Sequence, residues 1–203
     1  IGYDSGTTLT TGQDNTAVGD RSLKLATTAI TNVAVGAVAL ENTTTGNSNV
    51  GIGWGSLRAN TTASINTAVG YQAGYSNTTG STLDAFGAYS LYNNTTGSHN
   101  TGIGTNAMYY NTTGGYNVAV GRDALQKNIT ASYNVAVGHQ AGFSFIGTGN
   151  SFNTFVGYAS GREVTTGVNN SFFGQQSGYN VTTGSKNTIV GLYNGNQHGL
   201  DIR

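Results

Sequence analysis

Apolar residues recur along this chain every 17 residues, almost from end to end. The units begin at Asn15, Asn32, Asn49, Asn66, Leu83, Asn100, Asn117, Asn134, Asn153, Asn170 and Asn187. Each resembles N-[T/V]-A-V-G-x-x-[A/S]-[L/G]-x-x-N-T-T-G-x-x, numbered as positions 1 to 17. A fixed period of this kind indicates stacked structural units. Residues 1–203 are therefore expected to form one repeat array, with a 19-residue unit at 134–152 and an exit segment at 192–203.

Position 4 is apolar in every unit, and this pattern predicts that it faces the core. Its residues are Val18, Val35, Ile52, Val69, Phe86, Ile103, Val120, Val137, Val156, Phe173 and Val190. Position 3 is Ala or Gly in the first eight units and then becomes Phe155, Phe172 and Ile189. Alternation along a strand places it on the opposite face. Because small residues allow backbones to approach closely, position 3 is expected to form the contact between the subunits of a homotrimer.

The remaining positions predict how each unit turns. Position 5 is Gly from Gly19 to Gly191, which indicates a positive φ or a backbone approached too closely for a Cβ. A second short strand is predicted at positions 7 to 10, as at Ser22 and Leu23. The Thr-Thr-Gly and Thr-Thr-Ala segments that follow position 12 are typical of a repeated loop.

These elements together predict an all-β fold, a parallel β-solenoid or β-roll of about eleven 17-residue coils. A single coil has too few inward side chains to be stable alone, whereas stacking joins the coils into one core. A helical array is excluded, because recurrent Gly and Asn-Thr-Thr segments destabilise helices.

Composition narrows the range of partners. Charged residues make up 8% of the chain, and eight Lys and Arg balance eight Asp and Glu. Without a net positive field, nucleic acid and anionic membranes lose their main attraction, and neither is expected as a partner. Cysteine is absent, which excludes disulfides and thiolate metal sites. No apolar run approaches the ~20 residues needed to insert into a membrane.

The polar residues do not suggest a catalytic, metal or cofactor site, and the chain is not expected to be an enzyme. The acidic residues are scattered along the chain, among them Asp14, Asp20, Glu41, Asp84, Asp123, Glu163 and Asp201. His99, His139 and His198 fall at positions 17, 6 and 12, on different sides of a coil. Paired-carboxylate catalysis would require acids of neighbouring subunits to meet at an interface.

Aromatic residues recur at position 10 and offer a candidate contact for a glycan or receptor. They are Tyr75, Tyr92, Tyr109, Tyr179 and Phe143, with Tyr110 beside one of them. Stacked rings with polar tips suit a carbohydrate, and they equally suit packing between subunits. The Gly-rich loop 147–150 is either a recognition loop or a simple irregularity.

Two features of the asparagines carry predictions. The Asn residues at position 1 are expected to form a side-chain ladder between coils, like stacked amides in cross-β assemblies. Others lie in Asn-x-Thr sequences, among them Asn42, Asn60, Asn77, Asn94, Asn111, Asn128 and Asn180. These are either glycosylation acceptors or turn residues.

The segment N-[T/V]-A-V-G followed by Ala or Ser resembles the head repeat of trimeric autotransporter adhesins, which implies a left-handed trimeric β-roll. The fuller unit from Asn66 to Gly80 (NTAVGYQAGYSNTTG) is similar to repeats of bacteriophage tail fibres. The ending from Asn187 to Arg203 is similar to the segment where such arrays give way to a C-terminal region that often includes an intramolecular chaperone.

The resemblance implies a segment of a phage tail fibre in the virion, a rigid trimeric shaft that contacts other fibre or tail proteins and a polysaccharide on the host surface. The alternative is the head of a trimeric adhesin on a bacterial surface. Rows of Thr suggest a third class, an ice-binding solenoid.

Overall fold

The computed structural model describes residues 1–194. These residues form eleven three-residue strands and no helix. The strands are β1 (Thr16–Val18), β2 (Val33–Val35), β3 (Val50–Ile52), β4 (Thr67–Val69), β5 (Asp84–Phe86), β6 (Thr101–Ile103), β7 (Val118–Val120), β8 (Val135–Val137), β9 (Thr154–Val156), β10 (Ser171–Phe173) and β11 (Thr188–Val190). Each covers positions 2 to 4 of its unit. The exit segment expected at 192–203 lies outside the described residues from residue 195 onward.

All eleven strands belong to one sheet, in which each pairs in parallel with the next along the chain. The register is constant, so that Ala17 lies opposite Ala34 and Ala136 opposite Phe155. Ten steps of ~4.8 Å between neighbouring strands make the stack roughly 48 Å long. The predicted parallel β-solenoid is confirmed.

The 19-residue unit keeps this register because its two extra residues leave the stack as a loop. Ile146, Thr148, Gly149 and Asn150 are exposed, while Phe145 before them is fully buried. Beyond the loop, Asn150 pairs with Ser132 and the chain returns to the repeat.

The face of the sheet that lines the core is position 3. Ala34, Ala68, Ala119 and Phe155 are all fully buried. Position 4 projects outward, with exposures of 42% for Val18, 39% for Ile52, 39% for Phe86, 41% for Ile103, 41% for Phe173 and 67% for Val190. The other members, Val35, Val69, Val120, Val137 and Val156, are half-buried on the same face. The prediction that position 4 forms the core is therefore wrong, and so is the placement of a subunit contact on position 3.

The narrow interior of the coil explains this inversion. A Cβ added to Gly102 at position 3 would lie 2.6 Å from Ser90 Oγ and 3.2 Å from Leu91 Cγ, both in the preceding coil. The Leu side chains of position 9 already fill this space, and Leu23, Leu57 and Leu125 are fully buried. Only a small residue fits opposite them, whereas a branched side chain fits on the outside.

The predicted second strand at positions 7 to 10 is not formed in any described coil. Positions 7 and 9 are left-handed, with φ of 51° at Arg21 and 50° at Leu23, so the chain turns there. The backbone amides of this segment still donate to carbonyls of the neighbouring coils: Arg21 N donates to Tyr3 O at 2.7 Å and Leu23 N to Ala39 O at 3.0 Å. These bonds offset the cost of left-handed backbone at residues with a side chain.

Glycine at position 5 meets both conditions that the sequence indicates. Gly36 has a φ of 130°, and a Cβ there would lie 2.5 Å from the carbonyl oxygen of Gly53 in the next coil. The backbones of successive coils therefore touch at this corner, directly after each strand.

Candidate functional site

The side chains at position 10 form a row along one side of the rod, and neighbours in this row form ion pairs, hydrogen bonds or ring stacks. The Glu41 carboxylate is largely buried and accepts bonds from Arg21 Nη1 at 3.1 Å and Arg58 Nε at 2.6 Å. Arg58 also donates to the Tyr75 hydroxyl, where the aromatic part of the row begins. Bonds to Glu41 and Tyr75 raise the pKa of the Arg58 guanidinium above its ordinary value. Arg21 Nε also pairs with Asp20 Oδ2 at 3.2 Å, so two carboxylates balance the two guanidiniums at this end of the row.

Tyr75, Tyr92 and Tyr109 form a stack in the middle of the row. Their ring centroids are 5.3 Å and 5.2 Å apart, with interplanar angles of 11° and 6°. Tyr110 meets the end of the stack edge-on, 4.7 Å from Tyr109 at 79°. These four predicted contact residues are therefore brought together on one surface.

The phenol of Tyr92 lies in the centre of that stack. Burial raises the pKa of Tyr92 above its ordinary value, and the neighbouring phenols Tyr109, Tyr75 and Tyr89 raise it further. The central phenol of the stack therefore keeps its proton to a higher pH than an exposed tyrosine does.

Phe143 and Tyr179 lie in the same row but do not join the stack. Gln126 separates Phe143 from Tyr109, and Arg162 lies between Phe143 and Tyr179. The Arg162 guanidinium carbon is 5.3 Å from the Phe143 ring and 5.5 Å from the Tyr179 ring, as in cation–π contacts. The predicted aromatic stripe is thus two separate clusters, one of tyrosines and one built around an arginine.

Other aromatic residues near this surface were not predicted from the sequence. Trp54 stacks on Tyr71 at 5.3 Å, and Tyr71 contacts Tyr89. Tyr89 in turn meets Tyr92 and Tyr109 edge-on at 5.8 Å and 6.3 Å. These residues occupy positions 6 and 7, and the turn between positions 7 and 10 brings them beside the tyrosine stack. Trp54 and Tyr71 had a signal in the sequence, an aromatic residue at position 6 of two neighbouring units, whereas Tyr89 at position 7 had none.

A second aromatic stack was also missed. It occupies position 17, before the strands, and joins His99, Tyr116, Tyr133 and Phe152 with centroid separations of 4.6, 4.9 and 5.3 Å. The other described histidine, His139, stacks on Tyr158 at position 6. His198 lies outside the described residues.

Asparagines form two ladders inside the rod. The one predicted at position 1 is confirmed: Asn49 Nδ2 donates to Asn32 Oδ1 at 3.1 Å, and its backbone amide donates to the same oxygen. Leu83 interrupts this ladder. A second ladder at position 12 was missed, in which Asn94 Nδ2 donates to Asn77 Oδ1 at 2.9 Å and Asn111 Nδ2 to Asn94 Oδ1 at 2.7 Å.

The second ladder accounts for most of the Asn-x-Thr sequences. Asn60, Asn77, Asn94, Asn111 and Asn128 are fully buried, so in the folded protein their amides are inaccessible. Asn42 and Asn180 lie at position 11 and are partly exposed. The ladder ends at Asn128, whose Oδ1 is buried without a partner because Phe145 replaces the next asparagine.

The threonine rows are largely committed to the backbone. At position 13 the Thr hydroxyls from Thr10 to Thr165 donate to a carbonyl of the next coil, as in Thr44 Oγ1 to Thr61 O at 3.2 Å and Thr78 Oγ1 to Thr95 O at 3.0 Å. Within the Thr-Thr pair of these turns, the exposed member is the one at position 14, as at Thr45, Thr79 and Thr113. A single file of hydroxyls lacks the two-dimensional array that an ice-binding face needs.

Among residues 1–194, no three His, Asp or Glu side chains come close enough together to hold a metal ion. That part of the chain also contains no helix long and apolar enough to span a membrane. The candidate functional site is the cluster of exposed and half-buried tyrosines around Tyr109 and Tyr110. No protein family, curated protein or solved structure matches this chain.

Proposed function

We propose that this chain is a non-catalytic structural segment of a surface fibre, in which three parallel copies form a rigid rod. The observation that carries this proposal is the apolar row at position 4, exposed along the outer face of the sheet. An apolar row repeated over eleven coils is much longer than the scattered apolar residues of ordinary monomer surfaces. A second and a third copy of the same chain would bury it.

The constant register of the sheet supports this arrangement. Each coil presents its position 4 side chain at the same place on the sheet, so that Val18 in β1 lies directly beside Val35 in β2. A rotation axis parallel to the rod would bring identical rows together coil by coil, as closed symmetric oligomers require. The chain has no net charge to repel its copies.

A three-fold axis suits this surface better than a two-fold axis. In a two-fold pair the flat faces would press positions 2 and 4 together and enclose the exposed Asp84 carboxylate of position 2. Burying an unpaired carboxylate is costly. Around a three-fold axis only the row nearest the axis, position 4, meets its own copies, while position 2 remains at the rim.

The proposed site of the rod is the tail fibre of a phage virion, where it contacts other fibre or tail proteins and a host surface polysaccharide. The likeness of Asn66–Gly80 to tail fibre repeats supports this over the head of a bacterial adhesin. Cryo-electron microscopy of the particles that carry the chain tests the assignment, since density on a virion fibre supports it and density on a cell surface contradicts it.

The oligomer is tested by sedimentation equilibrium of the wild-type chain and of two variants. Val120→Asp introduces a carboxylate into the position 4 row and is expected to dissociate a trimer into monomers. Thr113→Asp adds the same charge at exposed position 14 and is expected to remain trimeric. A wild-type chain that sediments as a monomer, or a Val120→Asp variant that remains trimeric, contradicts the proposal.

Circular dichroism distinguishes dissociation from unfolding in this experiment. If Val120→Asp loses its β signal, the milder Val120→Thr keeps the branched shape and replaces one methyl by a hydroxyl. It is expected to weaken the trimer while the β signal is retained. An unchanged trimer in that variant also contradicts the proposal.

A further inference from the structure

Tyr110 departs from the repeat. Position 11 is Ser76 and Asn93 in the two preceding coils, whereas in this coil it is a tyrosine that is 48% exposed. Its ring stands against the edge of Tyr109 at 79° and projects from the side of the rod. The smaller residues of the preceding coils leave space beside this ring.

Two hollows lie against Tyr110. The first has a volume of about 360 Å³ and is lined by Tyr89, Asn106, Tyr109, Tyr110 and Gln126. The second has a volume of about 430 Å³ and is lined by Ser76, Asn93, Thr95, Tyr110, Thr112 and Ile129. Both fall within the range of roughly 300–1,000 Å³ that is typical of small-molecule sites. Tyr110 is the wall that the two hollows share.

The polar groups of the first hollow are neutral and held in place. Asn106 Nδ2 and Gln126 Nε2 both donate to Asp123 Oδ1, at 3.0 Å and 2.9 Å. The other oxygen of this nearly buried carboxylate pairs with Arg122 Nε at 3.3 Å. Each amide keeps its carbonyl oxygen as an acceptor for a ligand, and the charge of Asp123 is already compensated.

The second hollow has the same chemical character. Asn93 Nδ2 donates to Tyr109 O at 2.9 Å, which leaves the Asn93 carbonyl oxygen as an acceptor. Ser76 and Thr95 supply hydroxyl groups, and Ile129 supplies apolar surface. Neither hollow is lined by a charged residue.

We propose that the two hollows are adjacent subsites for a neutral oligosaccharide, whose consecutive sugar rings lie on either side of Tyr110. Sugar rings present apolar C–H faces that pack on aromatic rings, and hydroxyls that bond to amides and hydroxyl groups. None of the residues that line the two hollows carries a cationic group for an anionic sugar. The proposal rests on the proposed function in one respect, because a surface fibre would bring the groove to a polysaccharide.

The first test is an array of neutral and anionic oligosaccharides probed with the wild-type chain, followed by calorimetric titration with the neutral oligosaccharide that binds most strongly. Tyr110→Ala is expected to weaken this binding by about tenfold, since the ring contributes to both subsites. Tyr158→Ala is the matched control. It removes a tyrosine that is 51% exposed and lies on another part of the rod, and it is expected to leave the affinity unchanged.

A second variant addresses the amides. Gln126→Ala is expected to weaken binding in the first subsite and to shorten the preferred oligosaccharide, whereas Tyr110→Ala affects both subsites. Binding of anionic sugars in preference to neutral ones, wild-type affinity in Tyr110→Ala, or no neutral sugar bound at all overturns the proposal.

Sedimentation equilibrium of the same samples separates the two proposals. If the chain is a trimer but binds no neutral sugar, the proposed rod is retained and the proposed sugar site is rejected. If the chain is a monomer and binds a neutral sugar through Tyr110, the proposed sugar site is retained and the proposed trimer is rejected.

Discussion

The Phe155 ring occupies the space that a side chain at Gly161 would need. A Cβ added to Gly161 would overlap the Phe155 ring within the same coil. In the coil that begins at Asn117 the arrangement is reversed, and Ala119 at position 3 accompanies a fully buried Leu125 at position 9. The core keeps its density by changing which wall of the coil carries the large side chain.

The Phe155 and Gly161 substitutions are expected to be coupled. Phe155→Ala alone leaves a cavity and costs about 3–5 kcal/mol of unfolding free energy. Gly161→Leu alone overpacks the same space and costs about 1–3 kcal/mol. In the double variant the introduced leucine side chain fills part of the cavity, so the total loss is smaller than the sum. Urea denaturation measures all three.

Leu40→Ala, combined with Phe155→Ala, serves as the control for this coupling. Leu40 is fully buried but lies seven coils away, so its cost is expected to add to that of Phe155→Ala within about 0.5 kcal/mol. Equal additivity in the Phe155 and Gly161 pair would contradict the exchange of volume between the two walls.

The buried ladder at position 12 predicts a large effect of removing one asparagine amide. Asn94→Ala eliminates the bonds to Asn77 Oδ1 and Gly97 O and deprives Asn111 of its acceptor. Buried groups left without partners are expected to cost about 1–3 kcal/mol each. Thermal and urea unfolding measure the loss. Asn42→Ala, at half-buried position 11, is expected to change stability by less than about 0.5 kcal/mol.

Gly70 is expected to tolerate no side chain. Its φ is 140°, and a Cβ would lie 2.7 Å from the carbonyl carbon and oxygen of Gly87 in the next coil. Gly70→Ala therefore forces two coils apart and is expected to cost more than about 4 kcal/mol, or to prevent folding. Circular dichroism and expression in soluble form report the outcome.

Gly149→Ala isolates the cost of the backbone conformation from that of the contact. Gly149 is left-handed with a φ of 63°, but a Cβ there would meet nothing within 4 Å. Its replacement is expected to cost about 1 kcal/mol, from the left-handed conformation alone. Equal losses in the two glycine variants would show that the close approach of the coils does not matter.

The tyrosine stack predicts a loss of stability at alkaline pH. Because burial raises the pKa of Tyr92 in the folded chain, the unfolded chain loses this proton first as the pH passes ~10. The contribution of Tyr92 to the free energy of unfolding is fully present below that pH and declines above it. Tyr92→Phe is expected to match the wild-type melting temperature at pH 7 and to exceed it at pH 10.5. Parallel melting curves at both pH values would refute this role of Tyr92.

The sequence by itself determined the coil. Identical residues every 17 positions can only stack in register, so the strand at positions 2 to 4, the glycine corner and the asparagine ladder at position 1 followed from the repeat. The exchange of Ala for Phe155 and of Leu for Gly161 was also visible in the sequence. It was a signal for the inward face, because only side chains that share a cavity need to compensate in volume.

Tertiary structure decided which face points inward and what lies together on the surface. Alternation separates position 3 from position 4, but the choice between them depends on Leu91 and its equivalents, which fill the interior beside position 3 of the next coil. The same holds for Tyr89 beside Tyr92 and for the groove around Tyr110, because the left-handed turns at positions 7 and 9 bring them together. Burial depends on the opposite wall and on neighbouring coils, which a linear pattern of apolar residues does not specify.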